Sequence, residues 1–245
     1  SMSQELSENN LKLYSELILG LPFETKESHI KGIKQLMDVN AEIFNFNLHL
    51  LPGTELESKQ SRRKYIKKVG FRMFDGCYGI YEGRKVIEGE EVVIATNTMP
   101  ENDLRDFRFI HFLIQFMWSK EFYLDFLNVF KSEGMHPVDI IIEIEKECKK
   151  DKKIIGNLYK GFKNNHDLEQ FKTYKDLCNY WFEKNNFKKL KEGDYGKLNY
   201  LYTFLFLENR EHFDKFLYKY CLKKVKETGI KNKSLFIFKL KDVLR

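Results

Sequence analysis

Two stretches of this 245-residue sequence combine polar groups and apolar surroundings in a way that would orient a ligand. In Tyr14-Ser15-Glu16-Leu17-Ile18-Leu19-Gly20-Leu21 a single carboxylate, Glu16, sits among apolar residues. In Ile43-Phe44-Asn45-Phe46-Asn47-Leu48-His49-Leu50-Leu51, Asn45, Asn47 and His49 alternate with Phe44, Phe46, Leu48 and Leu50. A carboxylate accepts hydrogen bonds, amides both accept and donate, and an apolar wall holds a flat ring, so the chemistry suggested is binding of a small polar molecule. No nucleophile–base pair or metal triad stands at diagnostic spacing, which leaves a separate acid–base role for Glu16, His49 or Glu90 as the weakest reading. His49 reads as a hydrogen-bond partner and not as a metal ligand.

Strand and helix patterns position these groups. The first stretch alternates Ser15, Leu17, Leu19 and Leu21 against Tyr14, Glu16, Ile18 and Gly20, which predicts a strand with one apolar face and one carrying the carboxylate. Thr25 then caps a helix with Ile30, Ile33, Leu36 and Met37 at helical spacing, ending near Val39. The second stretch predicts a parallel strand with its phenylalanines and leucines toward helices and Asn45, Asn47 and His49 toward an interior shared with Glu16. Pro52-Gly53-Thr54-Glu55 turns the chain. Lys59–Lys68 reads as a basic helix, Cys77–Tyr81 and Lys85–Ile87 flank a Glu82-Gly83 hairpin turn, and Glu90–Thr98 continues as strand. From Pro100 the periodicity is helical: Leu104–Met117, Phe122–Phe130, Val138–Cys148 opened by Pro137, Phe171–Phe182, Leu198–Leu207 and Phe213–Val225, with Ser234–Leu240 a terminal strand.

The segment from Glu16 through Ile18, Gly20, Pro22, Phe23, Glu24 and Thr25, with its helix and Leu51-Pro52-Gly53-Thr54-Glu55, resembles the late barrel strands of radical S-adenosylmethionine enzymes, whose pattern is (D/E)xIxGLPGET. Residues Phe71–Gly83 and Glu90–Met99 look like the region after the barrel in the subgroup with an N-terminal cobalamin-binding domain. The resemblance implies a cofactor wall of Glu16, Ile18, Gly20 and Pro22, with Ile18 against adenine, and substrate-side residues Asn45, Asn47 and His49. It also implies S-adenosylmethionine and a 4Fe-4S cluster in a parent protein, with cobalamin as a further cofactor. Two departures stand out. The CxxxCxxC ligands of the cluster are absent, since Cys77, Cys148, Cys178 and Cys221 lie far apart, and Phe23 occupies a position usually held by Gly.

The fold class expected is therefore α/β followed by mostly α: residues 1–99 a partial (β/α) barrel with a hairpin extension, residues 100–245 a helical, aromatic-rich domain. The chain is read as a C-terminal fragment, inactive alone, with Ser1-Met2 resembling a cleavage remnant. Its open sheet edge would favour self-association. Charge offers an alternative: residues 1–150 hold 20 Lys+Arg against 24 Asp+Glu, leaving 22 against 12 beyond. That basic half suits a non-catalytic module for a protein or, less readily, a nucleic acid. Arg62, Arg63 and Arg72 would suit a phosphate-bearing substrate. No apolar run is long enough to span a membrane, the polar Ser1–Asn10 is unlike a secretory signal, and four scattered cysteines fit a reducing cytoplasm.

Overall fold

The computed structural model describes residues 12–192, 198–227, 230 and 233–244; the Ser1–Asn10 and Ser1-Met2 readings lie outside them. Strands β1 (Tyr14–Leu19) and β2 (Glu42–Asn47) pair in parallel, joined by helix α1 (Lys26–Asp38). Thr25 caps α1 as expected: its hydroxyl accepts from the Ser28 backbone while the Ser28 hydroxyl accepts from Thr25, a reciprocal capping box. Helix α2 (Lys59–Tyr65) is shorter than the basic stretch predicted, because Ile66 already begins β3 (Ile66–Tyr81). β3 returns antiparallel as β4 (Arg84–Thr96) through Glu82 and Gly83, at φ +49° and +78°, the mirror-image turn whose twist matches a hairpin.

β2 departs from the expected facing. Its register sets Ile43 beside Ser15, Asn45 beside Leu17 and Asn47 beside Leu19. In a parallel pair, laterally aligned side chains share a face, so Asn45 and Asn47 lie on the side where Leu19 and Ile43 are fully buried. Phe44 and Phe46 instead join Glu16 and Ile18 on the open side, where Ile18 is 41% and Phe46 47% exposed. The predicted grouping of Asn45, Asn47 and His49 with Glu16 is therefore wrong. Strand alternation ends at Asn47, after which Leu48 and Leu50 bury against Val93 and hydrogen bonds link Leu48 and Leu50 to β4.

The helical part comprises α3 (Glu101–Leu113), a π-helical turn (Ile114–Ser119), α4 (Leu124–Ser132), α5 (Pro137–Lys150), α6 (Ile154–Leu168), α7 (Tyr174–Phe182), α8 (Lys184–Glu192), α9 (Leu198–Glu208), α10 (Arg210–Glu227) and α11 (Lys233–Val243). The last element corrects the expected terminal strand. Phe236 and Leu240, one helical turn apart, bury, and Phe236 packs edge-on to Phe130 at 5.2 Å, so tertiary contact overrides the strand-like composition. One core cluster runs from Leu19, Ile33 and Ile43 through α3 to Leu240. Ser119 closes the outer edge of β2: its hydroxyl accepts from Ile43 N–H and donates to Ile43 C=O, both at 3.0 Å.

Gly20 has φ +92°, and a Cβ there would meet Leu104 Cδ2 at 3.1 Å. The backbone conformation, with a tight contact to Leu104 beside it, therefore favours glycine at that position without any ligand. Phe23 takes φ +66° despite its side chain, so the turn does require the left-handed conformation that glycine usually supplies. Gly20→Ala should destabilise the protein by about 1–3 kcal/mol. Urea unfolding would check this, and an unchanged midpoint would refute the conformational argument.

Candidate functional site

A cavity of about 350 Å³ opens beside β2, between β3, α3, the C-terminal end of α6 and the start of α9. Arg108, His111 and Gln115 reach it from α3 and the π-helical turn, spaced three and four residues apart and so on one helical face. Asn45, Asn47 and His49 approach from β2 and the segment after it, Arg72 from β3, Glu169 from beyond α6 and Asn199 from α9.

A chain of hydrogen bonds ties the β1 turn to this cavity. Gly20 N–H donates to Glu24 Oε2 at 2.6 Å, His29 Nδ1 lies 2.8 Å from Glu24 Oε1, and His29 Nε2 lies 2.8 Å from His111 Nε2. Both imidazoles are almost wholly buried. A carboxylate only accepts, so His29 Nδ1 carries a proton. Burial, then the neighbouring His29 and Arg108 charges, pushes the His111 pKa well down, which keeps that ring neutral. With His29 neutral, His111 donates through Nε2 and its Nδ1 is a bare acceptor. His111 Nδ1 has no partner among the described residues.

On the opposite wall His49 Nδ1 lies 2.9 Å from Glu90 Oε2, and Arg72 Nε bonds the other Glu90 oxygen. Burial raises the Glu90 pKa, but the His49 bond together with the Arg72 charge and bond outweighs it, and the carboxyl titrates below its ordinary value. Glu169 behaves oppositely: burial pushes it up to about 7 against the pull of Arg72 and Arg108, with Asp75 adding to the rise.

The structure thus gathers Asn45, Asn47 and His49 at one cavity, while Glu16 and Ile18 lie on the open sheet face and Gly20 and Pro22 in the turn after β1. Of the three arginines considered for phosphate, only Arg72 lines the cavity; Arg62 grips Glu91 with two bonds of 2.6 and 2.7 Å, and Arg63 is exposed. Sequence reading passed over Arg108, His111, Gln115, Glu169 and Asn199. The polar recurrence at 108, 111 and 115 within the otherwise apolar run from Phe107 to Trp118 was the available signal. The cysteines do not fit an iron–sulfur cluster: Cys148 and Cys221 are buried in the core, Cys77 and Cys178 half-buried elsewhere, and the described residues contain no grouping of three metal-ligating side chains. No helix among them is long and apolar enough to cross a membrane.

The raised Glu169 gives a signed pH prediction. Between 4.5, its ordinary value, and about 7 the folded protein keeps a proton that the unfolded chain has released, so this group's penalty on folding grows with pH. Relative to the native protein, Glu169→Gln should gain no stability below that window and on the order of 1–3 kcal/mol above it. Paired denaturation curves across pH would test this, and a difference independent of pH would overturn it.

No protein-family model matches the chain. Over 133 residues, 53% of its length, it is 30% identical to the cobalamin-dependent radical SAM methyltransferase TokK of Streptomyces tokunonensis. The matched stretch is 19% of that protein, so the chain spans only about a fifth of the curated relative it matches. The likeness supports a distant relationship to radical SAM proteins.

Proposed function

We propose that this chain is the C-terminal part of a cobalamin-type radical S-adenosylmethionine enzyme, with methyl transfer, the activity in the relative's name, as its reaction class. Residues 1–99 would supply late strands of a partial barrel and residues 100–245 a helical part that shapes the substrate side. The observation that carries this reading is the open face of the β1–β2 pair. Parallel strands are ordinarily covered on both faces, and two strands alone make a marginal sheet. Here one face is packed into the core while Glu16, Ile18, Phe44 and Phe46 stand in register on the other, with Ile18 and Phe46 exposed. Further strands and a bound cofactor would cover such a surface. Glu16 would accept hydrogen bonds from ribose hydroxyls, and Ile18 would pack on the adenine. Gly20 and Pro22 would shape the turn beside it, while Asn45 and Asn47, on the opposite face of β2, take no part in that surface.

The cluster that reductively cleaves S-adenosylmethionine has no ligand set on this chain, so no step through it is assigned to these residues. Cobalamin would likewise be held elsewhere in the parent. The alternative of a basic docking module is not favoured by the α10 lysines: Lys223 bonds Glu147 and Lys224 bonds Glu143, both on α5.

The test is 5′-deoxyadenosine formation after anaerobic reduction, measured for the parent polypeptide and for this chain. The parent should produce it, the chain alone should not, and Ile18→Asp in the parent should lower the rate by about tenfold or more, the equivalent of one lost apolar contact. A parent whose turnover ignores both Ile18→Asp and Glu16→Ala would sink the assignment of this face.

A further inference from the structure

Six buried side-chain atoms around the cavity have no hydrogen-bond partner among the described residues: Asn45 Nδ2 and Oδ1, Asn47 Oδ1, Arg108 Nε, His111 Nδ1 and Asn199 Oδ1. Buried polar groups are nearly always paired, so this concentration in one place suits a bound polar molecule. The pattern also says what kind. Arg72 is committed to Glu90, whereas Arg108 makes no ion pair among the described residues. One guanidinium therefore faces the cavity without an ion pair among the described residues, and the acidic Glu169 lines the same space. That balance suits a single negative charge and opposes a phosphate dianion. Asn45 and Asn199 offer amide oxygens, and Asn45 an amide nitrogen as well, the complement of an amide edge. Met73 and Leu198 supply an apolar wall. The volume falls within the range of small-molecule sites.

We infer that this cavity binds a small carboxylate bearing an amide, of the N-acyl amino acid class, with the carboxylate on Arg108 and the amide edge on Asn45 and Asn199. A guanidinium and a carboxylate form two parallel charge-assisted bonds, and Arg108 Nε–H is one of the donors such a pair uses. His111 Nδ1 adds a further polar atom to the cavity wall, open to a ligand amide. The inference does not depend on the proposed function, since binding needs neither cluster nor reductant.

The probe is N-acetyl-L-alanine, titrated into the isotopically labelled chain, with its methyl ester and inorganic phosphate in parallel. Resonances of the Arg108 Nε–H and the Asn45 and Asn199 side-chain amides report binding. For so small a probe the expected dissociation constant is on the order of millimolar. The ester should bind at least about tenfold more weakly, and Arg108→Gln should weaken the acid by a similar factor while Arg108→Lys retains part of it. Asn199→Leu should weaken acid and ester alike, because it removes an amide contact and not the charge contact. Melting curves establish that each variant is folded; if Arg108→Gln is not, the acid-to-ester ratio on the native chain decides. Equal binding of acid and ester, tighter binding of phosphate, or no shift at these three side chains would overturn the inference. A parent inactive toward S-adenosylmethionine would leave the binding result standing, and failed binding here would leave the reductive-cleavage result standing.

Discussion

From Leu104 to Ser119 no residue is turned fully to solvent, and that constraint organises the molecule. A helix apolar on most sides needs neighbours on most sides. Phe107 meets the His29 ring of α1, Phe109 packs edge-on to Tyr159 and Phe162 of α6, Phe112 meets Phe206 of α9, and Phe116 reaches Phe213 of α10. Each buried aromatic of this kind contributes roughly 1.5–3 kcal/mol by burial, with ring geometry adding to it. Helices from both ends of the chain are thereby held to a single rod. The same enclosure directs Arg108, His111 and Gln115 into a polar space, the cavity beside β2.

β2 is a wall shared by two environments. Its even-numbered phenylalanines face the open side with Glu16 and Ile18, and its asparagines face the packed side and the cavity. The surface suited to a flat heterocycle and the pocket lined with amides are thus separated by one strand's thickness. The Glu24–His29–His111 connection bridges them, running from the Gly20 amide, at the end of the strand carrying Ile18, to an imidazole in the cavity wall.

Much of the local structure was legible in the sequence, because it depends on short-range chemistry. The Thr25 cap, the Glu82-Gly83 turn and the Pro137 helix start are each written in two or three residues. The facing of β2 was not. Its alternating pattern gives two faces but not which one meets the core, and the more apolar of them, Phe44 and Phe46, is the outward one. That choice is made by Leu17 and Leu19 across the pair and by helices more than fifty residues away, which no local pattern encodes. The terminal segment failed for a related reason: Leu-Phe-Ile-Phe at 235–238 suits a strand until Phe130 supplies a partner at helical spacing. Asn45, Asn47 and His49 came together as a polar set, but their partners Arg108, His111 and Asn199 enter from distant helices.

The Ser119 hydroxyl, by engaging both backbone groups of Ile43, occupies a position where another strand would begin to pair. With Trp118 also bonding Ala41 C=O, the π-helical turn acts as a terminator for the sheet on that flank. Among the described residues the sheet is therefore directional, with β1 as the flank left unpaired. Any assembly that completes it, within a longer polypeptide or between molecules, must grow from that single flank, and two copies meeting there would stop at a closed pair and not propagate into a filament.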